Sequence, residues 1–170
     1  MAIWDIKERN NLARANQASR GDRGAFGGGN TPSTSDIIDF IQISTAGNAA
    51  DFGNLSSADR KHLSAVASST RGLYFGGGSN NNIENTIDYI TIASTGNGTD
   101  FGDLSAVRQD VAGTSNGVRG IVAGGETPTR VNIIEFITIA STGDVTDFGD
   151  FTELKDDCTG FSDSHGGLQG

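Results

Sequence analysis

A single cysteine, Cys158, in 170 residues rules out an internal disulfide. Two prolines, two histidines, two tyrosines, one methionine and one tryptophan are the other scarce residue types. No apolar run approaches the roughly 18 residues needed to cross a bilayer, and the polar start from Met1 to Arg20 lacks the apolar core of a signal peptide. The expectation is a chain that does not insert into a membrane. Basic residues are also few: 12 Lys and Arg stand against 21 Asp and Glu, a net charge of −9 at pH 7. Phosphates are held mainly by Lys and Arg, so nucleic acid and anionic membrane surfaces are not expected partners. Apolar residues make up only 35% of the chain and must be placed economically, because they are too few for one large core.

What is abundant is glycine, 25 residues of it, together with many Ser, Thr, Asn and Asp. That composition suits short strands joined by tight turns, and the fold class it predicts is all-β. Three markers then recur in one order. Phe26-Gly27-Gly28-Gly29 returns 49 residues on as Phe75-Gly76-Gly77-Gly78, and 48 further on as the weaker Ala123-Gly124-Gly125. Ile38-Asp39-Phe40-Ile41 returns as Ile87-Asp88-Tyr89-Ile90 and Ile134-Glu135-Phe136-Ile137. Asp51-Phe52-Gly53 returns as Asp100-Phe101-Gly102 and Asp147-Phe148-Gly149. A period in this range announces a solenoid or a propeller. One repeat domain over 1–170 is expected, with units at about 7–54, 55–104 and 105–151 and a C-terminal extension at 152–170.

Each unit divides into four strands, a to d. In the middle unit they fall at about 62–69, 72–75, 86–93 and 99–104, with turn residues between. Strand c places Ile90 and Ile92 on one face but Ile87 and Tyr89 on the other, so both faces must be covered, as in a sheet packed between two neighbours. At the ends, Trp4-Asp5-Ile6 echoes a strand d, and Leu12 to Ser19 takes the place of a strand a. Asp157 to His165 resembles a further inner strand. Lys7 to Ala15 also admits a short helical reading.

The order of these markers, glycines closing strand b, an aromatic in strand c and a second aromatic about 12 residues on in strand d, resembles the kelch repeat over about 7–151. That family usually has Trp at the second aromatic, where this chain has Phe52, Phe101 and Phe148. The wording from Thr86 to Gly96 and from Asp100 to Leu104 also resembles the Gly/Asn/Thr-rich repeats of structural proteins of tailed bacteriophages, notably marine ones. The first resemblance implies three four-stranded blades of a β-propeller. The second implies location in a virion, as a tail, fibre or capsid accessory protein with a part in host attachment. Propellers close with roughly 4 to 8 blades, so three blades imply completion by oligomerisation. A homo-oligomer is expected, two copies giving six blades, with other virion subunits as further partners.

Little in the sequence points to chemistry. His62 and His165 occupy strand-a positions and read as satisfied or surface histidines. Cys158 reads as a small buried residue rather than a nucleophile served by His165. No zinc-ligand spacing occurs, and the glycine runs lack the Lys-Ser/Thr and helix of a phosphate loop. The recurring acids Asp39, Asp88 and Glu135, and Asp51, Asp100 and Asp147, point to a role in the fold, such as turn or backbone hydrogen bonding. Calcium through these acids is a weaker reading, because no Asp-x-Asp-x-Asp-Gly loop is present. The sequons Asn54-Leu55-Ser56 and Asn97-Gly98-Thr99 read as accidental.

The expectation is therefore no enzyme, no catalytic residue, no cofactor and no metal site. The c–d turns are nearly repeated from unit to unit but the b–c loops differ, and in a meander the b–c loops share one end with the d–a connections. Asn80, Asn81, Asn82, Thr127 and Arg130 are the candidate recognition residues there, for a cell-surface glycan or receptor. A kelch-type interaction scaffold and a glycan-binding propeller are the alternative functions.

Overall fold

The computed structural model describes residues 21–163 apart from 59, 80 and 81. The expected strands at Trp4–Ile6 and Leu12–Ser19, the helical reading of Lys7–Ala15, and Asn80, Asn81 and His165 lie outside the described residues. What is described is all-β, with no helix.

The strands in chain order are β1 (Arg23–Gly27), β2 (Asn30–Thr31), β3 (Ser33–Thr34), β4 (Ile37–Gln42), β5 (Ala50–Asn54), β6 (Ser64–Ala67), β7 (Arg71–Phe75), β8 (Gly78–Ser79), β9 (Asn82–Ile83), β10 (Thr86–Thr91), β11 (Thr99–Asp103), β12 (Ala112–Ser115), β13 (Arg119–Ala123), β14 (Ile133–Thr138) and β15 (Thr146–Asp150). They form antiparallel meanders. The first sheet is β1-β4-β5, the second β6-β7-β10-β11 and the third β12-β13-β14-β15, while β2-β3 and β8-β9 are small hairpins in the b–c loops. Strands b, c and d of the repeat are thus β1, β4 and β5, then β7, β10 and β11, then β13, β14 and β15. The described residues form no closed ring of sheets.

The core lies between sheets. Ile38, Phe52 and Leu55 of the first unit pack with Tyr74 and Ile90 of the second. Leu73, Phe75, Ile87, Phe101 and Leu104 of the second pack with Val122, Ile137 and Ile139 of the third. Strand β10 therefore contributes Ile90 to one junction and Ile87 to the other, which explains why its apolar residues do not simply alternate.

Strand c of each unit carries a register shift at the same place, between Ile38 and Asp39, Ile87 and Asp88, and Ile134 and Glu135. A bulge re-aims a side chain. Here it falls at the recurring acid, two of whose three copies, Asp88 and Glu135, are buried.

An aromatic stack runs along each sheet. Phe40 meets Phe52 edge-on at 5.8 Å, Tyr89 meets Phe101 at 6.0 Å and Phe136 meets Phe148 at 6.2 Å. Over the first ring of each pair lies an arginine of strand b: Arg23 at 4.9 Å, Arg71 at 4.6 Å and Arg119 at 4.5 Å. Beyond its ring, Arg23 donates to the carbonyl of Ile92 at 2.7 Å, and Arg71 to that of Ile139 at 3.2 Å. Each reaches into the sheet that follows. The strand-b arginine thus combines a cation–π contact with a tie between neighbouring sheets.

Tyr74 lies in the first junction, where burial pushes its phenol up to about 12. An ordinary phenol titrates near 10. A raised folded-state value means that its contribution to stability is complete below about pH 10 and is lost as the pH rises through about 12. Between those limits the native chain should lose about 2–3 kcal/mol more stability than Tyr74→Phe, because each tenfold change in proton affinity is worth about 1.4 kcal/mol. Urea midpoints measured from pH 9 to pH 12 check this, and parallel curves for the two proteins would contradict it.

Candidate functional site

The b–c loops and the connectors that leave strand d meet at one end of the sheets, as the meander requires. Gly76 and Gly77 turn the chain out of β7 with φ of 53° and 84°, and Gly124 and Gly125 do the same after β13 with φ of 66° and 91°. L side chains avoid this region. There is also no room: a methyl group on Gly76 would collide with the carbonyl of Arg108, and one on Gly124 with that of Lys155. The glycine runs are therefore required by backbone conformation and by the close passage of the connector.

The connector residue that passes there joins two sheets. The carbonyl of Arg60 accepts from Gly29 N at 2.8 Å, in the first sheet's turn. Its guanidinium reaches the second sheet, donating Nε to Gly76 O at 3.0 Å, Nη2 to Gly76 O at 2.6 Å and to Thr86 O at 3.0 Å, and Nη1 to Asp88 at 2.5 Å. Arg108 repeats the arrangement. Its carbonyl accepts from Gly77 N at 2.8 Å, and its side chain donates to Gly124 O at 3.2 Å and pairs with Glu135. Both arginines are fully buried.

The two clasps differ in quality. Asp88 also accepts from Ser56 N and Oγ, and Arg60 has a partner on each nitrogen, whereas Arg108 Nε is buried without one among the described residues. Burial pulls both guanidinium pKa values down, opposed by Asp88 and Glu84 at Arg60 and by Glu135 at Arg108.

A second column runs beside the first. His62, Asp110 and Asp157, each two residues after the clasp position, have φ of 60°, 56° and 49°. Asp110 N donates to His62 O at 2.9 Å and Asp157 N to Asp110 O at 3.1 Å, so this backbone ladder crosses from unit to unit. His62 Nδ1 and Asp110 Oδ1 share a hydrogen bond at 2.6 Å. Burial raises the Asp110 carboxyl; His62 opposes by hydrogen bond and charge, while Asp157 and Glu126 add to the rise.

The loop residues lie over these clasps. Asn82 is exposed and donates to Glu84 Oε1 at 3.2 Å, and Glu84 in turn accepts from Ser57 Oγ at 2.6 Å. Thr127 N donates to Thr129 O at 2.9 Å inside the third loop. Arg130 is exposed and pairs with Asp156 at 2.7 Å, which raises its pKa chiefly by the hydrogen bond. These three thus share the loop end, with Asn82 and Arg130 each held by a neighbouring carboxylate. A cleft of 260 Å³ lies elsewhere, lined by Phe136, Thr138 and the turn Ser141 to Asp144. Cys158 is half-buried. Among the described residues no group of three His, Cys, Asp or Glu is placed to hold a metal ion.

The sequence pattern marks Asp88 and Glu135 as fold residues but does not disclose their arginine partners. The available signal was positional: Arg60 follows Leu55 by five residues and Arg108 follows Leu104 by four. The chain matches no known family model and no curated protein.

A buried ion pair broken on one side leaves a stranded charge, whereas replacing both partners by apolar groups is often tolerated. Arg108→Met alone should destabilise the protein by about 3–5 kcal/mol, and Arg108→Met with Glu135→Leu should recover most of that loss. Urea denaturation of the two variants decides the matter. A double variant no more stable than the single one would show that the clasp cannot be replaced by packing.

Proposed function

We propose that this chain is a non-enzymatic structural or adhesion protein of a bacteriophage virion, in which the sheets are kelch-like blades of a β-propeller completed by association with other chains. The observation that carries the reading is the use of the buried charged groups. Arg60, Asp88, Arg108 and Glu135 are all committed to joining one sheet to the next, an expenditure on architecture rather than on a reactive pocket. Three sheets are fewer than the roughly 4 to 8 blades of a propeller, which favours partners at the ends, either further copies or other virion proteins. The phage setting rests on the resemblance of the repeat wording around Thr86–Gly96 and Asp100–Leu104 alone.

Adhesion would use the loop end, where sequence varies between units over a constant frame. Asn82, Thr127 and Arg130 are the described residues there, and Asn80 and Asn81 belong to the same loop as Asn82. A glycan or protein receptor on the cell surface fits such a polar rim. Location and adhesion can be tested separately. Quantitative mass spectrometry of purified particles of the encoding phage should find the chain in fixed stoichiometry with the other structural proteins, and its absence would overturn the virion assignment. Particles carrying Asn82→Ala with Arg130→Ala should adsorb to host cells about tenfold more slowly, the scale of one interface hot spot, with the thermal midpoint of the isolated protein unchanged. Unchanged adsorption would remove the loop end as the adhesive surface.

A further inference from the structure

Asparagine followed by glycine occurs twice in the chain, at Asn97-Gly98 and at Asn116-Gly117. The pair has a chemistry of its own. Glycine leaves its backbone nitrogen unshielded by any side chain and its backbone free to turn, so that nitrogen is well able to reach the preceding side-chain amide. Both pairs lie in turns, and the fold treats them in opposite ways.

Asn97-Gly98 lies in the c–d turn of the second unit, where it ties that sheet to the first. Gly98 N donates to Asn54 O at 2.7 Å, and Asn97 Oδ1 accepts from Asn54 N at 3.1 Å. The surroundings are close: a Cβ on Gly98 would lie 3.5 Å from Asn54 O and 3.5 Å from the Asp88 side chain. The nitrogen is thus occupied, and the amide is held by the neighbouring sheet.

Asn116-Gly117 lies in the hairpin turn from β12 to β13, and Asn116, Gly117, Val118 and Arg119 are all exposed. Asn116 N donates to Arg119 O at 3.1 Å, which closes the turn. Asn116 Oδ1 accepts from Val118 N at 3.0 Å and from Arg119 N at 2.8 Å. Gly117 N has no hydrogen-bond partner among the described residues. Gly117 has a φ of 79°, and beyond its chain neighbours no described atom lies within 4 Å of a Cβ built there. Here the nitrogen is open to attack the amide, and two N–H groups are aimed at the oxygen that becomes an oxyanion when the amide carbon is attacked. The equivalent turn of the second unit keeps the hairpin without the chemistry. Ser68 N donates to Arg71 O at 2.9 Å, and Ser68 Oγ accepts from Thr70 N at 3.2 Å and from Arg71 N at 3.1 Å.

We propose that Asn116 is a site of self-modification, at which the turn converts its own side-chain amide into a carboxylate with water as the only co-reactant. Gly117 N gives up its proton to solvent and attacks Asn116 Cγ, forming a C–N bond. The charge that develops on Oδ1 is held by the Val118 and Arg119 N–H groups. Collapse breaks the Cγ–Nδ2 bond, and Nδ2 leaves as ammonia with a proton from water. Water then opens the five-membered imide. Cleavage between Cγ and Gly117 N gives an aspartate, and cleavage between the backbone carbonyl carbon of Asn116 and Gly117 N gives an isoaspartate, with the main chain passing through Cγ. Nothing is oxidised or reduced, and the chain gains one negative charge. An aspartate keeps the turn's hydrogen bonds, as Asp144 does in accepting from Asp103 N at 3.0 Å. An isoaspartate adds a methylene to the main chain, and so loosens the turn that carries Arg119 to the Phe136 ring.

Peptide mapping by mass spectrometry tests it, on the full chain incubated in warm, mildly alkaline buffer enriched in heavy-oxygen water. Asn116 should convert at least about tenfold faster than Asn97, short of the roughly hundredfold or more that a buried oxyanion donor contributes, because this turn is solvated. The products should carry oxygen from the labelled water. In concentrated urea the two sites should react at similar rates, because both are Asn-Gly and neither turn persists. Asn116→Ser, which copies Ser68, should keep the thermal midpoint and remove the more acidic species that the native chain accumulates on ion exchange. Equal rates at the two sites in the folded chain would overturn the inference. So would a preference for Asn116 that survives in urea, an Asn116 that stays intact while the unfolded chain converts, or an acidic species that persists in Asn116→Ser.

Discussion

The rest of the structure depends on the connector arginine, whose two ends serve two different sheets. Its carbonyl fixes the glycine turn of the sheet behind and its guanidinium fixes the carbonyls and carboxylate of the sheet ahead. A purely apolar junction would attract the sheets without a preferred register, since the hydrophobic effect is non-directional. The clasp supplies direction. It accepts only one displacement between neighbours, the one that brings a connector carbonyl to Gly29 or Gly77 and a bulged carboxylate to the guanidinium. That is why the glycines, the bulge and the acid recur together. The glycines make room for the carbonyl, the bulge sits at the acid, and none of the three makes sense without the arginine between them.

This division of labour also accounts for a low apolar content. Two small cores, one per junction, need few large side chains, and the remaining cohesion comes from hydrogen bonds that cross between sheets. The carbonyl of Phe52 accepts from Gly96 N and that of Phe101 from Gly143 N, each at 2.7 Å. Asn97 and Asp144 accept from the backbone of Asn54 and Asp103 at 3.1 Å and 3.0 Å. The c–d turns, nearly invariant from unit to unit, are therefore ties to the preceding sheet as well as reversals of the chain. Gly102 is held to glycine twice over, by a φ of 148° and by the Gly143 carbonyl lying against it. The sheets are thus joined at both ends of their strands: clasps at the loop end, turns at the other.

Much of the architecture was legible because it is written in residue classes that repeat. The all-β class, the four strands of the middle unit and the burial of both faces of β10 follow from glycine content, turn residues and the placement of Ile87 and Ile90. The clasps were not legible, and the reason is chemical degeneracy. The same role is filled by Arg60, Arg108 and, in its backbone part, Lys155, while the acid is Asp88 in one unit and Glu135 in the next. A one-residue difference in the spacing from Leu55 and Leu104 blurs the column further. The left-handed positions were hidden in the same way, since His62 and Asp110 share a backbone conformation and little chemistry. Among the loop residues, variability singled out Asn82, Thr127 and Arg130, but the ties to Glu84 and Asp156 depend on a fold that brings connectors and loops together.

The ends of the chain show what the clasp requires by departing from it. Arg60 and Arg108 are each sealed under the next sheet, where a planar guanidinium can serve a carboxylate and backbone carbonyls at once. Lys155, with no described sheet beyond it, is a lysine, and its ammonium rests on Phe151 at 4.9 Å. A lysine is strongly hydrated and carries its charge at one point, so it tolerates exposure and can still meet a single carboxylate. An arginine sealed without its acid would strand a charge, a state that buried pairs make costly. The same holds for Asp39, which remains in water where Asp88 and Glu135 do not. The interior clasps are held by burial on both sides, whereas Lys155 and Asp39 keep contact with water. The hydrated point charge thus stands where the side chain keeps contact with water, and the rigid fork stands where it is sealed between sheets.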